Sequence, residues 1–108
     1  MVRGLREQTV PHHVLGAGSN LLVDDGGLDF VVVHLAGLAR EAAFDGASVR
    51  VPAGMSLATL LREATRRGLS GLEWAAGLHG SVGGAVVGNA GAFGGEMARH
   101  VRAVVRIT

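Results

Sequence analysis

The residues best suited to chemistry lie in a glycine-rich stretch, Gly77–Gly95, which reads GLHGSVGGAVVGNAGAFGG. Glycine loses much entropy when it is ordered, so such a run is expected where the main chain must come close to something. A flexible linker is the plain alternative, but linkers rarely carry apolar residues such as Val82, Val86, Val87 and Phe93. The stretch therefore predicts a loop wrapped closely around a ligand, offering N–H groups to an anion.

This stretch contains the second glycine segment of the chain, Gly80–Ala85, whereas the first, Gly16–Asn20, stands between two apolar runs near the start of the chain. Its glycines permit crowded or left-handed backbone, and successive N–H groups in such a turn can form an anion-binding nest. The segment is not a P-loop, because no Gly-Lys-Ser/Thr follows, and Leu21 replaces the third glycine of a dinucleotide fingerprint. An ordinary turn remains the alternative.

Adjacent carboxylates at Asp24 and Asp25 invite a metal site, but no further oxygen ligands follow at the spacing of a calcium loop. With Gly26 and Gly27 they form a turn signature instead. We therefore expect no metal site in the chain.

Composition points to a single small globular domain or a part of one. The chain has 108 residues, of which 48% are hydrophobic and 4% aromatic, so its core must rely on Leu, Val and Ala. The net charge is +1, and the ten basic residues, all Arg, are scattered along the chain. This balance argues against a nucleic-acid surface.

The absence of cysteine excludes disulfides, thiol chemistry and thiolate metal sites, and fits a reducing compartment. No apolar run reaches the roughly 18–20 residues that cross a bilayer, and no signal peptide is visible. We expect a soluble, cytoplasmic protein without a membrane partner.

The first half of the chain predicts β-structure. A brief buried strand is expected at His13–Gly16, and a second strand at Phe30–Leu35, where Gly37 would end it. Residues 41–51 predict a hairpin around Asp45-Gly46. Before these, Met1–Gln8 shows no pattern that demands structure.

The strongest helix signal covers Ser56–Arg67, where Ser56 is a suitable N-cap and Gly68 a C-terminal stop. Its apolar face consists of Leu57, Leu60, Leu61 and Ala64. On the opposite face, Glu63 can pair with Arg67.

Further along the chain, Trp74 is expected to serve as an anchor or as a pocket wall. A short helix is predicted near Val82–Val87 and a helical turn at Glu96–Ala98. The alternating residues Val101–Ile107 predict a final strand.

The order of these motifs resembles UDP-N-acetylenolpyruvoylglucosamine reductase, the flavin reductase of bacterial peptidoglycan synthesis. The resemblance spans most of residues 14–107 and rests on five segments: Leu15–Val23, Val51–Gly54, Gly68–Glu73, Gly80–Ala85 and Asn89–Gly94 followed by Glu96.

The resemblance implies an α+β fold, an FAD-binding domain of the vanillyl-alcohol-oxidase type with two small subdomains, here truncated. Residues 1–108 would form part of that domain, without the substrate-binding and C-terminal parts of the family. A diphosphate would be held between the two glycine segments by bare peptide amides. The implied cofactor-binding residues are Gly16, Ala17, Gly18, Ser19, Asn20, Leu21, Gly80, Ser81, Val82, Gly83, Gly84, Ala85, Asn89, Gly91, Ala92 and Phe93.

The implied reaction passes hydride from NADPH to FAD, and then to the enolpyruvyl double bond of UDP-N-acetylglucosamine enolpyruvate, giving UDP-N-acetylmuramate. The catalytic Arg, Ser and Glu of the family would lie beyond Thr108, so no catalytic residue is assigned here. NADPH and the UDP-sugar are therefore expected to bind through regions outside this chain, which alone should be inactive.

Two positions depart from the family pattern. His79 stands where the family usually has Pro, which adds a titratable side chain beside the expected phosphate site. Phe93 stands where Tyr is common and lacks its hydroxyl. Two alternatives stay open: another FAD-dependent oxidase-type domain of the same fold, or a non-catalytic remnant that binds nucleotide phosphate.

Overall fold

The computed structural model describes residues 2–36 and 41–106, which form a small mixture of short helices and strands. The helices are α1 (Val2–Glu7), α2 (Leu57–Arg66) and α3 (Val82–Val87), with 3₁₀ turns at Glu73–Ala75 and Met97–Arg99. The strands are β1 (His12–Leu15), β2 (Val31–His34), β3 (Ala43–Asp45), β4 (Ser48–Arg50), β5 (Gly91–Ala92) and β6 (Gly95–Glu96).

Strands β1 and β2 pair in parallel, from His12 opposite Val31 to Leu15 opposite His34. Both predicted strands are therefore confirmed, but the prediction that the first one is buried is wrong, because His13 and Val14 in β1 are exposed. Gly37 lies outside the described residues. Val33 is buried at 2% exposure. The first glycine segment begins directly after β1, in the crossover that a parallel pair requires.

The predicted hairpin forms from β3 and β4, which pair antiparallel and close at Asp45 opposite Ser48. The two residues of its turn are Gly46 and Ala47, so the glycine is the first central residue and adopts φ +57°. The prediction places Asp45 and Gly46 in the turn, whereas the observed turn lies one residue further along the chain.

Helix α2 has the predicted cap, pattern and stop. The Ser56 hydroxyl accepts the N–H of Thr59 at 3.1 Å, and Gly68 follows the helix with φ +68°. An ion pair of 2.9 Å joins Arg67 to Glu63. The predicted apolar face is turned inwards, with Leu61 half-buried and Leu57, Leu60 and Ala64 buried.

The main core lies between α2 and α3 and contains Leu and Val, as predicted, together with two methionines. The unbranched methionine side chain fills irregular gaps, which suits a core poor in aromatic residues. The cluster of buried residues is Met55, Leu57, Leu60, Val82, Ala85 and Met97.

At the two ends of the chain, one helix is not predicted by the sequence and one predicted strand is wrong. The first residues form helix α1, where Leu5 is half-buried, although the segment shows no strong local signal. Residues 101–106 form no strand, and Val104 and Val105 remain 65% and 78% exposed. A strand requires a partner for its backbone groups, and none of the described residues pairs with this segment.

Across residues 2–36 and 41–106, no helix combines the length and the apolar character that crossing a membrane would require.

Candidate functional site

The first glycine segment leaves a row of main-chain N–H groups open. From Gly16 to Leu21, no N–H donates a hydrogen bond to another described residue, and Gly18 adopts φ +72°. Residues 17–21 are exposed. The segment can therefore donate several neutral hydrogen bonds to an anion, as the sequence predicts.

The second glycine segment is different, because its N–H groups are already used within the chain. Val82 donates to the carbonyl of Met55 at 2.8 Å, and Gly83 to the carbonyl of Ala53 at 2.9 Å. In the first turn of α3, the N–H groups of Gly84 and Ala85 donate to the side chain and the carbonyl of the N-cap Ser81. The prediction of bare amides is wrong for these four residues.

The two glycine segments meet. A Cβ atom added to Gly16 would overlap the buried Oγ of Ser81, and the Ser19 hydroxyl lies 3.4 Å from the carbonyl of His79. A Cβ on Gly80 would lie 3.1 Å from Ser19 Oγ. Because Gly16 and Ser81 touch, a phosphate group has no space between them. The predicted grip of a diphosphate between the two segments is therefore wrong where Gly16 and Ser81 touch.

Several glycines make close approaches to the protein itself. A Cβ on Gly83 would lie 2.8 Å from the Cβ of Ala53, and one on Gly95 would overlap the indole of Trp74. Close approach was the right interpretation of these positions, but the approached group is the chain's own.

The third part of the predicted site is the short hairpin of β5 and β6. Ala92 pairs with Gly95, so Phe93 and Gly94 form its two-residue turn, with φ +49° and +80°. Positive φ at both central residues is typical of a type I′ turn, in which a bulky residue such as Phe is rare. The Phe93 side chain nevertheless stands 92% exposed.

Trp74 acts as an anchor behind this hairpin. Its indole packs on Gly95, and its Nε1 donates to Nε2 of His100 at 3.1 Å, with the two rings stacked. This contact supports the anchor interpretation of Trp74 over the pocket wall. The partner His100 carries no sequence signal that could have identified it.

The predicted site is an open surface rather than a closed pocket. Two hollows of about 310 and 320 Å³ flank α2, and neither is lined by a predicted cofactor-binding residue. His79 lines the first of them. The sixteen predicted residues carry no charged side chain, so main-chain amides would have to meet any phosphate charge.

The two carboxyl groups with a shifted pKa, Glu63 and Glu73, lie outside the predicted cofactor-binding residues. The Arg67 hydrogen bond lowers the pKa of Glu63, and main-chain N–H groups lower the pKa of Glu73. Asp24 accepts the N–H of Gly26 at 3.1 Å, as a turn residue does. Within the part of the chain that the structure describes, no three His, Asp or Glu residues cluster as metal ligands would.

Residues 1–107 match the family described as the FAD binding domain, and the chain belongs to that family. Within this class it is similar to UDP-N-acetylenolpyruvoylglucosamine reductases. It is 46% identical over 101 residues to UDP-N-acetylenolpyruvoylglucosamine reductase 2 of Symbiobacterium thermophilum, covering 94% of this chain and 33% of the relative. The corresponding reductase of Synechococcus sp. (strain WH7803) is 48% identical over 105 residues, 96% of this chain and 34% of the relative.

A solved structure of a reductase with this name is also similar to the chain. The crystal structure of UDP-N-acetylenolpyruvylglucosamine reductase from Thermus caldophilus matches with a TM-score of 0.70 and 45% identity, over 86% of this chain and 34% of that one. The resemblance expected from the motifs is thus confirmed. The chain spans about a third of the length of the curated relatives it matches.

Proposed function

We propose that this chain is the FAD-binding part of an NADPH-dependent reductase that converts UDP-N-acetylglucosamine enolpyruvate to UDP-N-acetylmuramate in peptidoglycan synthesis. Membership of the FAD-binding family and similarity to proteins named for this reduction support the proposal. Both relatives and the solved structure carry the reductase name, so we retain it over an oxidase-type domain and a non-catalytic remnant.

The observation that carries the proposal is the open row of N–H groups from Gly16 to Leu21. An FAD diphosphate needs several donors, and amides that are free in the chain can donate without first breaking a hydrogen bond. The Asn20 side chain is exposed beside this row and can add its amide N–H groups, whereas the exposed Ser19 hydroxyl must first leave the carbonyl of His79. The residues present therefore fit the cofactor.

The other segments would serve that site in different ways. Gly80–Ala85 would supply the platform on which the first segment rests and contact the nucleotide by its surface rather than by its amides. Residues 89–93 would lie beside the flavin ring. When bound, the flavin supplies the hydride-transfer chemistry, while the protein binds and orients it.

The rest of the proposal follows the family. We infer an α+β fold of the vanillyl-alcohol-oxidase type with two small subdomains, to which residues 1–108 contribute as one FAD-binding domain. NADPH and the UDP-sugar would bind through parts of the reductase outside this chain, in the cytoplasm. No residue of this chain is assigned a catalytic role.

Titration of the purified chain with FAD tests the proposal, because flavin fluorescence reports binding directly. We expect Gly18→Ala to weaken FAD affinity at least tenfold, since it forces a side chain into the left-handed backbone of the open row. Gly27→Ala is the matched control: Gly27 also has positive φ, in an exposed turn away from the predicted contacts.

The two variants separate binding from stability. Both should lower the free energy of unfolding by a similar amount, about 1 kcal/mol, but only Gly18→Ala should affect FAD. If FAD binds both variants equally well, the assignment of the Gly16–Leu21 row is wrong.

A further inference from the structure

The Phe93–Gly94 turn combines two costs that a fold normally avoids. Phe93 is a bulky residue in left-handed backbone, at φ +49°, and its ring is 92% exposed to solvent. Strained backbone persists only where the surrounding structure holds it, and it is concentrated at functional positions. The contacts that hold this turn in its left-handed conformation are therefore candidates for a functional role.

Asn89 fixes the base of the hairpin with both ends of its side-chain amide. Its Oδ1 accepts the N–H of Ala98 at 2.9 Å, and its Nδ2 donates to Oε2 of Glu96 at 3.0 Å. The chemistry of the partners fixes this orientation, because an N–H requires the oxygen and a carboxylate requires the amine. The Asn89 amide is thus committed within the chain.

Arg99 holds the tip of the same hairpin. Its Nη1 donates to the carbonyl of Gly94, the second turn residue, at 3.2 Å, and its Nε lies 3.8 Å from Oε1 of Glu96. Glu96 therefore connects Asn89 to Arg99. Behind them, the Trp74 indole packs against Gly95, where even a Cβ atom would overlap it. We call Asn89, Glu96 and Arg99 the clasp.

We propose that Asn89 is a positioning residue: through the clasp it holds the backbone of the Phe93–Gly94 turn in the free chain, so that the exposed Phe93 side chain can contact the planar ring system of the cofactor. The inference rests on the proposed function for the identity of the ligand. It assigns Asn89 no side-chain contact with FAD and gives Glu96 and Arg99 the same supporting role. A turn whose backbone is held in advance loses less entropy on binding than a mobile one.

An exchange of partners tests the clasp. Asn89→Asp keeps an oxygen for the N–H of Ala98 but places a second carboxylate against Glu96. Adding Glu96→Gln restores a carboxylate–amide pair with the roles reversed. We expect the single variant to weaken FAD affinity about fivefold or more, and the double variant to recover most of that loss.

Trp74 supplies a readout that needs no FAD. It is the only tryptophan of the chain and packs directly on the hairpin, so its emission reports the position of β6. Asn89→Asp should shift the emission of the FAD-free chain and speed hydrogen exchange at the Ala98 amide, and the double variant should reverse both changes. Far-UV circular dichroism checks that each variant is folded.

The outcomes are distinguishable. Weaker FAD binding without any change in Trp74 emission or Ala98 exchange would mean direct contact by Asn89 and would overturn the positioning role. Failure of the double variant to recover emission and exchange would overturn the clasp itself. If the unsubstituted chain does not bind FAD, the proposed function fails, while emission and exchange still decide whether the clasp holds the turn.

Discussion

At the scale of single residues, the lack of a side chain at a glycine serves two purposes that sequence alone cannot separate. Gly18 belongs to a row of free amides, whereas Gly16 and Gly83 let two parts of the chain pack together. Both uses need a missing Cβ, so both produce the same glycine-rich signal. The positions could be predicted, but the groups they approach required the fold.

Phe93 is the opposite case, because it places a bulky side chain at a left-handed position that glycine would adopt at a lower conformational energy. Left-handed backbone costs a residue with a Cβ about 1–2 kcal/mol, and an exposed ring recovers little of that by packing. No turn signal identifies this hairpin in the sequence, since Phe-Gly is not a favoured pair for a type I′ turn.

The substitution Phe93→Gly should affect FAD affinity without lowering the free energy of unfolding. Relief of the left-handed backbone should offset the roughly 0.5–1 kcal/mol that the freer glycine adds to unfolding entropy. We therefore expect an unchanged or slightly higher free energy of unfolding in urea, together with FAD affinity several-fold weaker. A variant that is destabilised by more than about 1 kcal/mol would contradict the exposure of the ring.

At the scale of elements, local signals predicted what they control. The cap at Ser56, the apolar period and the stop at Gly68 all lie within α2 or beside it, and the structure has each of them. A six-residue helix such as α1 has only a weak local signal, and a strand at residues 101–106 would need a partner that the described residues do not supply. Sequence patterns therefore miss the helix and mispredict the strand.

Glu63 makes the stability of α2 depend on pH. The hydrogen bond from Arg67 lowers the pKa of Glu63 below its ordinary value. A carboxyl with a lower pKa in the folded state stabilises the fold above its unfolded pKa, about 4.3, and that contribution is lost as the pH falls through the folded value. Glu63→Gln should therefore flatten the decline in unfolding free energy below about pH 5.

Urea unfolding of both proteins between pH 7 and pH 3 measures this difference. The two curves should converge in acid, because protonated Glu63 no longer attracts Arg67. Curves that stay parallel over the whole range would show that the pair is not formed in solution. Arg67 itself is less suitable for substitution, since its guanidinium also lies 4.0 Å from the ring centre of Phe44.

At the scale of the whole molecule, the chain exposes more surface than a compact protein of its mass. Its accessible area is 8005 Å², against about 5,600 Å² from the scaling for monomeric proteins. The radius of gyration is 15.3 Å, against about 13 Å for a compact domain. Large apolar side chains are exposed around β1 and β2: Val14, Leu21, Leu22, Val23, Leu28, Phe30, Val31 and Val32.

We expect these exposed apolar side chains to make the isolated chain self-associate, because large exposed apolar patches on a protein favour association. Leu22, in the connection between β1 and β2, is 97% exposed, whereas Val33 in β2 is 2% exposed. We expect Leu22→Ser to reduce concentration-dependent association in sedimentation velocity while changing the free energy of unfolding by less than about 0.5 kcal/mol. Val33→Ala, the buried counterpart, should cost about 2 kcal/mol and leave the association unchanged. If both substitutions lower the free energy of unfolding equally, Leu22 is buried in solution, and the exposure of the apolar side chains around β1 and β2 is contradicted.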